Sequence, residues 1–404
     1  MHVLFIHPNF PSQFYPIAAR LAATPGCQAT LLTSVDTSNL ALPFQHATYR
    51  LKPGPAPKAF YNPGDLNVLF DHAYAVYRGL REAKHLQPDV IVGHVSYGTW
   101  LYLRNLYPGP FVGYFEILPP RFWGPELVLR PEFPPTEEIR LFNATYHTLT
   151  YLHLHAMDAG YTPTQFQLST APPELRPKIR VIFDGIDTDL FRPMTIARPT
   201  EFRGIRIRPE TKVVTYVSRG LESVRGFDIF MKVAKKLERE FSDIVFLIAG
   251  QDRTNYGHEL HHIGPTSFKE WVLSQDQYDP EKYRFLGLVP TAELPTLFNL
   301  SDVHFYLTVP FVLSWSLINA MSCGCAIVAS NTEPVREVID HGVHGLLADF
   351  YDIDGLTKLA LQILRAPEAH HPLREQARQR VLERYDGRIC HQQLIDFFRS
   401  LTQK

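Results

Sequence analysis

Cysteine is scarce. Cys27, Cys323, Cys325 and Cys390 are the four in 404 residues, too few and too scattered for a disulfide framework or a cysteine-based zinc site. A reducing, cytoplasmic setting is the expectation. Excess positive charge is missing too: 40 Lys and Arg stand against 41 Asp and Glu, a net charge of −1. A chain so balanced lacks the basic track that phosphate backbones require, so nucleic acid is not an expected partner. The start, MHVLFIHPNF, has neither a basic n-region nor a small-residue cleavage site, and no signal peptide is expected. One stretch, residues 303–332, is free of Asp, Glu, Lys and Arg for long enough to imitate a membrane span. Pro310, Asn319 and Gly324 interrupt it, and it parses as strand VHFYLT, loop VPFVL, helix SWSLINAMS and strand AIVAS. Internal repeats and low-complexity tracts are absent as well.

What the chain does have is a succession of short apolar runs separated by stretches of helical length. VLFIHP, ATLLTS, DVIVGH, FVGYFE and IRVIFD fall in the first half; VVTYVS, IVFLIAG, YRFLGLV, VHFYLT, AIVAS and HGLLAD in the second. Continuous apolar strands alternating with helices predict parallel sheets buried on both faces, hence an α/β chain. Residues 192–211, rich in Pro and Arg and without periodicity, read as a linker and hinge. Two doubly wound, Rossmann-like domains follow, 1–191 and 212–371, with a final helical segment over 372–404. Such domains bind ligands beyond the carboxyl ends of their strands, and two facing each other would make a cleft. The Pro- and aromatic-rich segment 108–135 reads as an ordered loop over it.

Several residue groups carry chemical promise. In SRGLESVRGFDIF, Arg219, Gly220, Arg225 and Gly226 lie in a loop between a strand and an amphipathic helix. Two guanidiniums and close-approach glycines suit a diphosphate, although the same residues would also suit a tight turn whose arginines pair with carboxylates. In PFVLSWSLINAMS, Ser314 and Ser316 open a helix whose N–H groups would favour an anion, and Asn319 follows one turn on. In the first half, His7, Asn9, Ser12 and Gln13 fill one strand-to-helix loop, His94 ends another strand and Glu116 a third. Polar side chains at neighbouring strand ends are a common site layout. His258-Glu259-Leu260-His261-His262 satisfies the H-E-x-x-H pattern of zinc hydrolases. Gly257 before it and Gly264-Pro265 after it leave little room for the helix that pattern needs, and a polar surface loop is the expectation. His147, His153 and His155 read as helix-face histidines.

The pieces HPNFPSQF, HVSYGTW, GYFE, DAGYTPTQFQ, VIFDGIDTDLF, SRGLESVRGFDIF, FLGLVP, YLTVPFVLSWSLINAMSCGCAIVAS and EVIDHGVHGLLAD, in that order over nearly the whole chain, resemble glycosyltransferase family 4. Its members are retaining enzymes of two-domain GT-B fold. The resemblance implies that Arg219, Gly220 and Arg225 hold a donor diphosphate and that the helix start at Ser314, Trp315, Ser316 and Leu317 caps a phosphate. It places Leu288 and Val289 at the nucleobase, and it implies no metal and no cofactor beyond the nucleotide-sugar substrate, UDP-sugar ahead of GDP-sugar. Asn9, Ser12, Gln13, His94 and Glu116 would fall on the acceptor side, with Glu116 and His94 orienting the reacting sugar. The final helix would cross back onto the first domain.

The chain departs from the family at Pro11-Ser12, where Gly is common, at Glu116, where many relatives carry His, and at two positions of the donor side. Where relatives carry two glutamates eight residues apart, this chain has Phe311 and Asn319. Replacing a charge-assisted hydrogen bond by a neutral one forfeits about 1.5 kcal/mol, roughly tenfold in affinity. The leading expectation is transfer of a hexosyl group from a nucleoside diphosphate sugar to a glycan, lipid or small-molecule acceptor, with peripheral contact at the inner membrane face. A non-catalytic nucleotide- or glycan-binding relative is the second, and a zinc hydrolase built on HELHH the remote third.

Overall fold

A computed structural model describes residues 1–51, 64–118, 129–194 and 198–403. The chain forms two compact units. The first comprises Met1–Leu127, Thr136–Gly185 and Gly387–Lys404, the second Val128–Pro135 and Ile186–Asp386.

In the first unit the described residues form a seven-stranded parallel sheet: β1 (His2–Ile6), β2 (Gln28–Thr33), β3 (Gln45–Thr48), β4 (Val90–His94), β5 (Phe111–Tyr114), β6 (Ala159–Thr162) and β7 (Ile179–Val181), ordered β3-β2-β1-β4-β5-β6-β7. Alternate side chains of each strand enter opposite layers. Val3, Phe5, Val92, Val112 and Tyr114 pack against helix Tyr15–Ala22 and helix Gly387–Thr402; Leu4, Ile6 and Ile91 pack against Val76, Leu80 and Leu154 of helices Gly64–Glu82 and Glu137–Ala156. Helix Glu137–Ala156 starts where its sequence says it should: the Thr136 hydroxyl accepts from the Ile139 N–H, and Glu137 and Glu138 face the positive end of the helix.

The second unit repeats the plan with six strands: a hairpin of β8 (Glu201–Phe202) and β9 (Ile205–Arg206) precedes β10 (Lys212–Gly220), β11 (Ile244–Gln251), β12 (Tyr283–Gly287), β13 (Val303–Tyr306), β14 (Ile327–Ser330) and β15 (Leu346–Ala348), the last six forming a parallel sheet ordered β12-β11-β10-β13-β14-β15. Helix Phe227–Glu240 buries Phe227, Phe230, Met231, Ala234 and Leu237, and Phe230 stacks on Tyr216 of β10 at 4.9 Å. Residues 303–332 resolve into strand, loop, helix and strand, and no helix among the described residues is long and apolar enough to cross a membrane. Two doubly wound parallel domains are the make-up of the GT-B fold.

Two boundary expectations change. Residues 192–211 belong to the second unit, and those described are tied to it rather than strung between domains. Phe202, Ile205 and Ile207 are buried against Val213, Val245 and Leu297, and Arg198 bonds the Leu300 carbonyl and Asp302. The hinge expected there gives way to crossings at Gly185/Ile186 and Asp386/Gly387. The final helical segment is two helices, His371–Arg384 in the second unit and Gly387–Thr402 in the first. Between them the Tyr385 carbonyl accepts from the Ile186 N–H, and Asp386 accepts from the Thr188 hydroxyl. Of the Pro-rich loop segment 108–135, residues 119–128 lie outside the described residues.

Each sheet changes direction once. The chain runs outward from β1 to β3 on one side and from β4 to β7 on the other; in the second sheet the reversal lies between β10 and β13. At such a switch point the loops leaving the two central strands part and leave a crevice, where ligands of open α/β sheets bind. The residues at these two reversals therefore line the places where a ligand would bind.

Candidate active site

At the second unit's reversal, β10 ends in the loop carrying Arg219, Gly220, Arg225 and Gly226, and β13 leads through Thr308 and Phe311 to Ser314. Arg225 ends a one-turn 3-10 helix, Ser223–Arg225, closed by Gly226 at φ 64°. A β-carbon on Gly226 would lie 2.8 Å from Leu307 Cβ, so both its conformation and its room demand glycine. The Arg225 side chain is only 7% exposed. It donates to the Thr308 hydroxyl at 3.1 Å, the Val312 carbonyl at 2.8 Å and, at 3.5 Å, the Tyr306 hydroxyl. Its guanidinium lies over Phe311 at 5.3 Å and Tyr256 at 5.9 Å. Every group bonded to it is neutral. Glu222 lies near enough to feel its charge but makes no hydrogen bond to it, and a buried guanidinium bonded to neutral groups alone keeps the capacity to take an anion. The alternative, arginines paired to carboxylates in a tight turn, is not what Arg225 does. Arg219 is exposed and donates to the Tyr256 hydroxyl at 3.3 Å. Gly220 has the Arg253 carbonyl 2.4 Å from where a β-carbon would be, so the backbones of two loops touch there.

The helix that follows β13 is largely self-capped. The Ser314 hydroxyl accepts from the Ser316 N–H at 3.3 Å, the Ser314 N–H donates to the Tyr306 hydroxyl and the Leu317 N–H to the Ser314 carbonyl. Leu317 is fully buried in the core, whereas Trp315 is 38% exposed. Asn319 is 7% exposed, and its Oδ1 has no hydrogen-bond partner. At the end of β12, a sheet edge, Leu288 is exposed and Val289 buried.

At the first unit's reversal, His7 follows β1 and His94 ends the adjacent β4, their rings 6.0 Å apart, with Tyr97 within 5 Å of both. The His94 Nδ1 accepts from the Ser96 N–H, which puts the ring hydrogen on Nε2. Burial, with His7 adding to it, holds His94 well below the usual histidine range, and burial brings His7 down to about 4. Both imidazoles are neutral at pH 7. Asn9 is exposed and donates its N–H to His7 Nδ1; Ser12 and Gln13 are half-buried on the turn into helix Tyr15–Ala22, with the Ser12 hydroxyl accepting from the Phe14 N–H. Glu116, half-buried, follows β5, the strand next to β4.

The HELHH pattern is not a metal site in form. Glu259–His261 is a single 3-10 turn, and His262 bonds the Pro134 carbonyl. Glu259 is wholly buried, not on a polar surface loop, and both its oxygens accept from Ser223. Glu222, also wholly buried, accepts the N–H groups of Asn255 and Tyr256 and is pushed above the usual carboxylate range, chiefly by burial. Sequence reasoning missed both acids as partners of the arginine loop. The only signal was Glu259's place in a motif that pointed elsewhere.

Family profiles decide the affiliation. The glycosyl transferase family 4 group matches residues 25–191 and glycosyl transferases group 1 matches residues 197–380. The chain belongs to glycosyltransferase family 4. This family 4 member is 30% identical over 194 residues to the D-inositol 3-phosphate glycosyltransferase of Corynebacterium jeikeium, an alignment covering 45% of this chain and 43% of that protein. It is 30% identical over 207 residues to the N-acetyl-alpha-D-glucosaminyl L-malate synthase of Bacillus anthracis, covering 51% and 50%. The chain thus spans about half the length of these relatives. Among solved structures, HepE from Anabaena in complex with UDP-glucose superposes with a TM-score of 0.73 at 17% identity, covering 99% of this chain and 100% of that one, a likeness of fold.

Proposed function

We propose that this family 4 chain is a retaining glycosyltransferase that moves a hexosyl group from a nucleoside diphosphate sugar, UDP-sugar ahead of GDP-sugar, to a glycan, lipid or small-molecule acceptor. The observation that carries the reading is Arg225: a buried guanidinium at a switch point, held in place by neutral groups alone. Arg225, with the exposed Arg219 beside Tyr256, supplies the positive charge that a departing diphosphate needs, and no metal or cofactor is required in this scheme. That the HepE structure holds UDP-glucose supports the choice of nucleotide.

As the glycosidic bond to the diphosphate breaks, negative charge grows on the leaving oxygen and positive charge on the sugar ring. The acceptor oxygen bonds to the anomeric carbon on the face from which the diphosphate departs and gives its proton to the leaving oxygen, so the configuration is retained. His94, neutral and with its hydrogen on Nε2, donates to a sugar hydroxyl, and Glu116 accepts from one. The setting is the cytoplasm, at the inner membrane face if the acceptor is a lipid.

Calorimetric titration with UDP and GDP in metal-free buffer tests this. Tight UDP binding, weakened at least tenfold in Arg225→Ala, is the expected result, followed by release of glucose from UDP-glucose. Failure of every nucleoside diphosphate to bind at millimolar concentration would leave the chain a non-catalytic relative.

A further inference from the structure

We infer that Glu259, Glu222 and Arg130 are positioning residues for the anion-binding arginines, a role that rests on the donor-site reading above. Ser223 begins the turn that ends in Arg225. All three of its polar groups are taken by buried charged side chains. Its N–H donates to Glu259 Oε1 at 3.0 Å and its hydroxyl to Glu259 Oε2 at 2.7 Å. Its carbonyl accepts from Arg130 Nη1 at 2.5 Å as well as from the Gly226 N–H. Arg130, 3% exposed, is itself fixed by a two-pronged pair to Asp228 at 3.0 and 2.9 Å, on the first turn of the following helix.

The bracing is reciprocal. Glu259 lies on the loop after β11 and grips the arginine loop. Glu222 lies on the arginine loop and grips the one after β11, through the N–H groups of Asn255 and Tyr256 at 2.7 and 2.8 Å. Tyr256 is the residue that touches both arginines, by its hydroxyl to Arg219 and by its ring to Arg225. Gly257 makes room for this: a β-carbon there would stand 1.9 Å from Glu259 Oε2. Burying three carboxylates and a guanidinium to hold one turn is expensive unless the turn must not move. Donors already aimed at the place where charge will develop lose nothing to reorganisation when the ligand arrives. The glutamate of HELHH is therefore a brace, and its carboxylate geometry matters because Ser223 presents two donors to it.

The experiment compares UDP with uridine by calorimetry, since uridine lacks the anion that the arginines receive. In Glu259→Gln the amide presents one acceptor oxygen where two are used. UDP affinity is expected to fall at least tenfold while uridine affinity stays within twofold. Arg130→Lys, which keeps the charge but loses the fork, is expected to weaken UDP three- to tenfold, again without moving uridine. Should Glu259→Gln not fold, Ser223→Ala removes one hydroxyl only and is expected to weaken UDP alone by about threefold. Folded variants in which UDP and uridine weaken equally, or in which neither changes, overturn the bracing role. A wild-type protein that binds UDP no more tightly than uridine overturns the donor-site reading itself, and this inference with it.

Discussion

Asn319 places a carboxamide oxygen inside the second unit with no protein donor to meet it. A buried polar atom left unsatisfied costs about 1–3 kcal/mol, so the free protein has little to lose from its removal. Asn319→Leu, close in volume, is expected to melt no lower than wild type without ligand, yet to gain less from saturating UDP. Thermal denaturation with and without UDP checks it; a lower midpoint with an undiminished shift would make Asn319 a packing residue. Phe311, standing where relatives carry an acid, is buried beside Arg225 rather than offered to a ligand. These two departures were legible as residues but not as roles. Sequence names the side chain; only the fold shows that one faces the guanidinium and the other has no partner.

At the level of elements, the arginine loop is set by backbone as much as by side chains. Gly226 combines φ 64° with contact to Leu307 and Phe350. A left-handed residue with a side chain costs about 1–2 kcal/mol before any clash. Gly226→Ala is expected to lower the melting midpoint by several degrees and UDP affinity with it, measured by calorimetry on the same sample. A variant that melts and binds as wild type would show that the turn tolerates a side chain. The second sheet was readable strand by strand, because each of its six strands coincides with a largely apolar run, even where Arg284 or His304 interrupts it. The first was not: β6 is Ala-Gly-Tyr-Thr and β3 is Gln-His-Ala-Thr. In β6 small residues are imposed by packing, Gly160 lying opposite Gly113 with Met157 filling the space above; β3 is an edge strand that stays largely exposed. Neither leaves an apolar signature. Residues 192–211 misled for a related reason, since two-residue strands and interspersed arginines hide the few side chains that anchor them.

Across the whole molecule, several histidines are buried uncharged. His7, His147 and His153 in the first unit are held down to about 4 and His304 in the second to about 3, in every case chiefly by burial. A histidine depressed in the folded state binds its proton more readily when unfolded. Its contribution to stability is complete above about pH 6.5 and is lost as the pH falls from 6.5 to about 4, or to about 3 for His304. Each is worth on the order of 3 kcal/mol at full effect. The melting midpoint is expected to be level near pH 7–8 and to fall steeply between pH 6 and 4, with the first unit the more acid-sensitive. A midpoint unchanged over that interval would mean these rings titrate normally.

Helix Gly387–Thr402 has a consequence for biosynthesis. Leu394, Ile395, Phe397 and Phe398 complete a layer begun by Val3, Phe5 and Phe14. On the ribosome, the amino-terminal sheet therefore waits, with one apolar face open, while some two hundred residues of the other unit emerge. The part translated first finishes folding last. A chain truncated after residue 386 should expose the first unit to protease while the second resists, and restoring residues 387–402 should close the difference.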